Sequence, residues 1–285
     1  MAPDITRSEQ EAKMATSINT NYGAAVALQN LNATNAMLER TQNRVSTGLK
    51  VGSAKDNGAI YAIATTQRAN MSAMDAVRNS LQRGQSIVDV ALAAGDTITA
   101  ALEEMKSLAV SIQSSVAGSA AETSYLTDFN ALGKEIDAAL TGATFDGVNL
   151  WNTTTATSIT TNVSGGTYQI GFGTVDKAAA ASVVAVSAGT ANRAGATTAI
   201  VDTAIATITA DLATIGTQSK SVGRQMTFLN KLQDSTEAGI GNLVDADLAK
   251  ESAKLTALQT KQQLGVQALS IANQGSSILL SLFRS

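Results

Sequence analysis

From Leu81, the positions Gly84, Val88, Ala91, Gly95, Ile98, Leu102, Met105, Ala109 and Ile112 step by three and four residues without a break. The same rhythm returns from Val201 through Ile205, Ile208, Leu212, Ile215, Ser219, Val222, Met226, Leu229, Gln233, Thr236 and Ile240. Only Gly84, Gly95, Ser219, Gln233 and Thr236 in these two series are not apolar. An average period of 3.5 keeps one seam of a helix against a partner over many turns. Proline would break such helices, since it lacks an N–H and its ring clashes with the preceding turn. Ordinary usage would put roughly 14 prolines in a chain of this length; there is one, Pro3. The pattern predicts long helices packed lengthwise, and a structural element before a catalyst.

The first predicted helix covers 17–49, with Ala24, Leu28, Leu31, Asn35, Leu38, Gln42, Val45 and Leu49 on its seam. Asn35 and Gln42 are polar interruptions that can fix register. Gly48 to Ser53 reads as a flexible link, and Asp56-Asn57-Gly58 as a turn or helix cap. The longest helix is predicted over 59–114, about 80 Å at 1.5 Å per residue. A third, over 120–141, places Leu126, Phe129, Leu132, Ile136 and Leu140 on one face. Residues 143–177 change character: an Asp146-Gly147 turn signal and the alternation of Tyr168 to Gly173 predict two or three short strands or hairpins. Residues 178–199 read as a loop, with room for a short strand at Val183–Val186. A return helix is expected over 198–238, interrupted by Gly239 and Gly241. The last helix, 243–283, carries Leu248, Leu255, Leu258, Leu269, Leu279 and Phe283 on one face, and Leu264, Ile271 and Ile278 on a second.

The run Ile278-Leu279-Leu280-Ser281-Leu282-Phe283 is apolar nearly all round. Chain ends are normally polar and frayed, and a helix apolar on every side has to be buried. A single partner helix covers one side, so other copies of the molecule, or a chaperone before assembly, must cover the rest. Head-to-tail contacts that do not close generate open helical polymers.

Composition narrows the chemistry. The chain is 44% apolar but only 4% aromatic, which suits slender helix pairs with small seam residues. A net charge of −3, with no cluster of four Lys or Arg, gives no general attraction to nucleic acid or anionic lipid. There is no cysteine and no histidine, which excludes disulfides, Cys/His metal ligation, and Ser-His-Asp or Cys-His catalysis. Carboxylate or lysine catalysis stays possible on paper, but Glu103 and Glu104 are successive helix positions that point about 100° apart. No enzyme activity, cofactor, metal or small-molecule substrate is expected. Residues 1–13 are polar, with no apolar core of a signal peptide, and Met14 offers a second possible start. No 18-residue apolar run predicts a membrane span. Gly84 and Gly95 either permit close helix approach or simply cost helix stability, about 1 kcal/mol each. Lys55-Asp56 reads as a helix-start cap. The Ser/Thr run over 153–167 reads as a surface loop, or as an acceptor of O-linked glycans.

Several segments carry a resemblance. Ser17-Ile18-Asn19-Thr20-Asn21 with Ala24, then Leu28-Gln29-Asn30-Leu31-Asn32, resemble the amino terminus of bacterial flagellins. So does the long run from Arg44 through Gly48-Leu49-Lys50-Val51-Gly52-Ser53-Ala54-Lys55-Asp56-Asn57-Gly58 to Ala59. Phe145-Asp146-Gly147-Val148-Asn149-Leu150 looks like the motif after that family's third helix. Ser270-Ile271-Ala272-Asn273-Gln274 and Leu280-Ser281-Leu282-Phe283-Arg284 resemble its carboxy terminus. The resemblance covers 14–285 in order, and is greatest to short alphaproteobacterial flagellins.

That resemblance implies a mainly α fold, with long antiparallel helical hairpins in a coiled-coil bundle and a small β-hairpin region. It implies a subunit of the flagellar filament, exported unfolded through the flagellar type III apparatus and located outside the cell. The expected partners are further copies of itself or other flagellins in a helical polymer, hook-associated junction and cap proteins, and an export chaperone. The division it implies is an extension at 1–13 expected to be disordered, a filament-core helix and linker at 14–56, outer bundle helices at 57–142, a short β-hairpin and loop region at 143–197, a return helix at 198–242 and a C-terminal core helix at 243–285. Filament-core assembly falls to Leu28, Leu31, Leu38, Val45, Leu255, Leu258, Leu269, Ile271, Ile278, Leu279, Leu282 and Phe283. The outer-bundle seam falls to Val88, Ile98, Leu102, Met105, Ile208, Leu212, Ile215, Val222 and Leu229. Leu102 to Val110, with Glu104 and Leu108, matches the region read by Toll-like receptor 5 in other flagellins, which carry an arginine where Glu104 stands; the reversed charge predicts poor recognition. Gln274-Gly275-Ser276-Ser277 stands where the family often has a proline. The competing readings are a hook–filament junction protein and a flagellin-like surface protein that binds a ligand through 143–197.

Overall fold

The computed structural model describes residues 21–173 and 181–282, with side chains described except at 181–182 and 275–282. The elements in order are α1 (Tyr22–Thr47), α2 (Gly58–Ser114), α3 (Ala120–Gly142), β1 (Thr157–Thr160), β2 (Thr167–Ile170), α4 (Ala181–Ser187), α5 (Thr198–Val244) and α6 (Leu248–Leu282). The chain divides into a terminal unit, residues 1–67 with 238–285, and an outer unit, residues 68–237.

In the terminal unit α1 and α6 form an antiparallel pair. Asn21 caps α1, its Oδ1 accepting from Ala24 N at 2.9 Å. Gly48 ends it in the left-handed region, φ 72°, donating to Arg44 O. Asp247 caps α6 by accepting from Lys250 N. The cross-links run in opposite order along the two helices: Asn21 Nδ2 donates to Ala272 O at 2.7 Å, Gln262 Nε2 to Asn35 Oδ1 at 2.9 Å, and Arg44 Nη1 to Glu251 Oε1 at 3.1 Å. The links between helices are joined to each other. Lys50 N and Val51 N both donate to Val244 O, and Ala246 N donates to Gly48 O. The next turn closes on Asp56, whose Oδ2 accepts from Gly52 N, Ser53 N and Ser53 Oγ. These bonds, the Ser53 hydroxyl first, hold the Asp56 carboxyl below its ordinary range. Asn57 then caps α2 by accepting from Ala59 N and Ile60 N.

The outer unit packs α2, α3, α4 and α5 with an antiparallel hairpin in which Thr157 faces Ile170 and Thr160 faces Thr167. Ile159 and Ile170 point into the core and are fully buried. Trp151 is buried beside them, its Nε1 donating to Ala91 O at 2.9 Å. The two seam glycines are there for contact. A Cβ on Gly84 would lie 2.7 Å from Ile159 Cγ2, and one on Gly95 2.4 Å from Leu212 Cδ2 and 3.0 Å from Trp151 Cζ2. The helix-propensity cost of each glycine, about 1 kcal/mol, is the condition for seating the hairpin and the indole. At the far end, Ser119 caps α3, and Glu122 accepts from Gly118 N and from Arg193 Nη1 at 3.2 Å. Arg193 also donates to Gln113 O, and Gln113 Nε2 donates back to Arg193 O. The Gly118 amide first, then Arg193, hold the Glu122 carboxyl below its ordinary range.

Three expectations are corrected. Val183–Val186 lies in a helix, α4, with Val183 and Val186 buried. There α3 comes close enough that a Cβ on Gly133 would lie 2.4 Å from Val186 O. Tertiary packing overrode the β-propensity of valine. Gly239 and Gly241 do not interrupt the return helix, which continues to Val244; buried Ile240 and Val244 hold that stretch helical. The last helix accordingly begins at Leu248 rather than 243. By length and composition α5 also passes as a membrane-crossing helix, with a mean hydropathy of 1.4 in its most apolar window. Its Val201, Ala204, Ile208 and Ile215 are buried in the protein core instead.

Candidate assembly surface

The outer seam is complete within one molecule. Val88, Ile98, Leu102, Met105, Ile208, Ile215, Val222 and Leu229 are all buried, and Leu212 is half-buried against them. Gln233 and Ser219, polar members of the same stripe, are satisfied across the seam. Gln233 Nε2 donates to Asp75 Oδ1 at 3.2 Å, and Ser219 Oγ accepts from Gln85 Nε2 at 2.8 Å. Off this seam the outer unit also exposes apolar side chains, among them Val110 on α2 and Phe228 and Leu232 on α5.

The terminal pair is different. The seam of α1 runs Ala24, Ala27, Leu31, Thr34, Leu38, Thr41, Val45 and Gly48, and that of α6 runs Glu251, Leu255, Leu258, Gln262, Gly265, Leu269 and Ala272. Both keep strict 3-4 spacing, yet only Thr41 and Leu258 are buried; the other members are half-buried. Leu31, Leu38, Val45, Leu255, Leu258 and Leu269 thus lie on the seam between the two helices of one molecule. Leu28 does not: it is 48% exposed, and Asn35 and Gln42 are exposed beside it. The seam shifted by one position because small residues, Ala27, Thr34 and Thr41, let the helices come close. A Cβ on Gly265 would lie 3.2 Å from Leu31 Cδ1. The signal for this was present in the sequence as a 3-4 series of Ala and Thr, hidden because leucine dominates any hydropathy reading.

Displaced from the seam, large apolar side chains face outward on both helices. Tyr22, Val26, Leu28 and Met37 do so on α1, and Leu248, Leu264, Val266 and Ile271 on α6, the last 70% exposed. Single exposed apolar residues are ordinary; recurring ones along both faces of a helix pair mark an interaction surface. The side chains of Ile278, Leu279 and Leu282 lie outside the described residues, as does Phe283 altogether, although α6 remains helical through Leu282. Sequence reasoning missed the Arg44–Glu251 ion pair, which sits largely buried in the seam. A register slip would leave one of these charges uncompensated among apolar side chains, a costly outcome.

Glu104 is exposed on α2, whereas Leu108 is half-buried against the outer core. Lys106 between them pairs with Asp202 at 2.6 Å. Among the described residues no group of His, Cys, Asp and Glu is placed to hold a metal ion.

Comparison with known proteins identifies the family. Residues 18–156 match the bacterial flagellin N-terminal helical region, and residues 198–283 match the bacterial flagellin C-terminal helical region. The chain is 52% identical over 269 residues to Flagellin FljM of Caulobacter vibrioides, covering 94% of this chain and 98% of that protein. It is 51% identical to Flagellin FljK of the same organism with the same coverage. It is 41% identical to a flagellin of Brucella melitensis, covering 94% of this chain and 99% of the relative. With both helical regions matched in order and such identity over nearly the whole length, the chain belongs to the bacterial flagellin family, the structural subunits of the extracellular flagellar filament.

Proposed function

We propose that this chain polymerises through its terminal helix pair, each copy sheltering the outward apolar side chains of its neighbours. The observation that carries this reading is the contrast in burial along one repeated pattern. The α1–α6 seam is left half-covered, and Leu28, Met37, Leu264 and Ile271 are left in solvent. Burying such side chains yields about 1.5–3 kcal/mol each, enough in aggregate to drive end-on growth once repeated around a filament.

The surrounding roles follow from the same face. An export chaperone covers it before assembly, and hook-associated junction and cap proteins meet it at the two ends of the polymer. A cysteine-free chain suits passage in an unfolded state through the type III apparatus. The division at 14–56 and 243–285 for filament core, and 57–242 for the outer bundle with its short hairpin region, belongs to this proposal. So does a structural rather than an enzymatic role, in keeping with a family of structural proteins. Glu104 puts a negative charge where a receptor built for arginine would have to leave it unpaired, so weak recognition by Toll-like receptor 5 is expected.

Removing residues 270–285 tests the reading. Purified truncated protein should give no filaments by electron microscopy on seeding, while keeping the cooperative unfolding of the outer unit. Filaments from the truncated chain would overturn the proposal, and an intact chain that stays monomeric when seeded would favour the junction-protein reading.

A further inference from the structure

We propose that Met37 is an oxidation site whose conversion to the sulfoxide blocks addition of the subunit to a growing polymer. The inference rests on the assembly reading above and extends it to a chemical modification. The chain holds no cysteine and no histidine, so methionine carries its only sulfur. Trp151, its single indole, is fully buried. Two-electron oxidants that reach the folded protein therefore meet thioethers first, and their selectivity follows exposure. Among the described methionines Met105 is 0% and Met74 is 7% exposed, Met71 and Met226 are half-buried, and Met37 is 53% exposed.

Its position gives the modification a consequence. Met37 borders a groove of about 350 Å³ on the α1–α6 pair, with Leu31, Thr34, Leu258, Lys261 and Gly265. Leu258 is buried there and Leu31 packs against Gly265, while Asn30, Thr34 and Lys261 line the same groove with polar groups. The occupant is a second copy of this chain. The groove lies on the pair whose seam one molecule leaves half-covered, in a family whose members are filament subunits. A flexible thioether suits such a contact, because it adapts to an irregular apolar surface.

The step is balanced with a hydroperoxide as oxidant. The Met37 sulfur lone pair attacks the terminal peroxide oxygen, the S–O bond forms, and the O–O bond breaks. The departing oxygen takes a proton and leaves as water or alcohol. Sulfur loses two electrons and the peroxide gains them. The product is a polar, chiral acceptor on a side chain that must enter an apolar contact. Burying it against an apolar surface of the neighbouring copy, beyond reach of Lys261 and Asn30, is expected to raise the critical concentration for growth roughly tenfold.

The experiment treats full-length monomer with dilute hydrogen peroxide, reads each methionine by peptide mass spectrometry, and then follows elongation of filament seeds. Met37 is expected to oxidise well ahead of Met74 and Met105, and the treated protein to elongate poorly. Met37→Leu has no thioether to oxidise there, so its elongation rate, whatever its value before treatment, is expected to be the same after it. In preformed filaments Met37 should resist peroxide. The inference is overturned if Met37 oxidises no faster than Met105, if the oxidised protein elongates normally, or if Met37→Leu loses elongation equally on treatment. Failure of untreated protein to elongate any seed is a separate result, and overturns the assembly reading on which this one rests.

Discussion

The same heptad grammar is written in the outer unit and in the terminal unit, and it comes to two different ends. In the outer unit the stripe from Leu81 to Ile112 is buried at every position. In the terminal unit the α1–α6 seam keeps equally strict spacing, yet most of its members remain half in solvent. What separates them is the number of covering layers. The α2 and α5 seams have α3, α4, the hairpin and Trp151 over them, whereas α1 and α6 have each other. A two-helix pair can cover one stripe per helix and no more. The comparison teaches that periodicity reports the shape of an interface, while burial reports whether the molecule has completed it.

The contrast can be broken most forcefully in the outer unit. Trp151→Ala deletes the largest buried side chain and its bond to Ala91 O, and should cost about 3–5 kcal/mol in chemical denaturation. A loss below 1 kcal/mol would mean the outer core does not depend on the indole. Gly95→Ala places a Cβ against Leu212 and Trp151. After the gain in helix propensity, a net loss of about 1–2 kcal/mol is expected, seen as a lower midpoint at unchanged slope.

Acid titration sharpens the comparison next. Glu122 in the outer unit and Asp56 in the terminal unit both have carboxyls held below their ordinary values. Each therefore contributes stability that is complete above its unfolded value, 4.5 and 3.8 respectively, and is lost as pH falls through the lower folded value. Glu122→Gln should flatten the acid limb of outer-unit unfolding, and Asp56→Asn that of the terminal unit. An unchanged acid limb in either variant would discount that carboxylate.

Smaller effects are expected in the terminal pair. Gly265→Ala meets Leu31 at 3.2 Å, but Leu31 is half-buried and has room to give. The change should be within about 1 kcal/mol of neutral, unlike Gly95→Ala. Ile271→Asp should leave monomer stability within about 0.5 kcal/mol and abolish seeded elongation. If the monomer unfolds instead, Ile271 is a core residue and the contrast between the units is wrong.

Much of this was legible beforehand. Every seam position read from Leu81 to Ile112 and from Val201 to Ile240 is buried or half-buried, because a long unbroken period leaves one geometry for packing. The flagellin character was legible in the glycine link and in the two ends. The seam of α1 was misread at Leu28, since the residues that fill it are chosen by how near α6 can approach. Val183–Val186 was misread because valine's strand preference is weak beside a packing site on α3.

The sequence by itself determined the long helices with their periodic seams, the flagellin character and the absence of thiol and imidazole chemistry, since these depend on period, motif and composition. The tertiary structure decided which face of each helix is spent inside the molecule and which is left outward. That choice depends on how many neighbours a helix has and how small their facing side chains are, and neither is a property of any single segment.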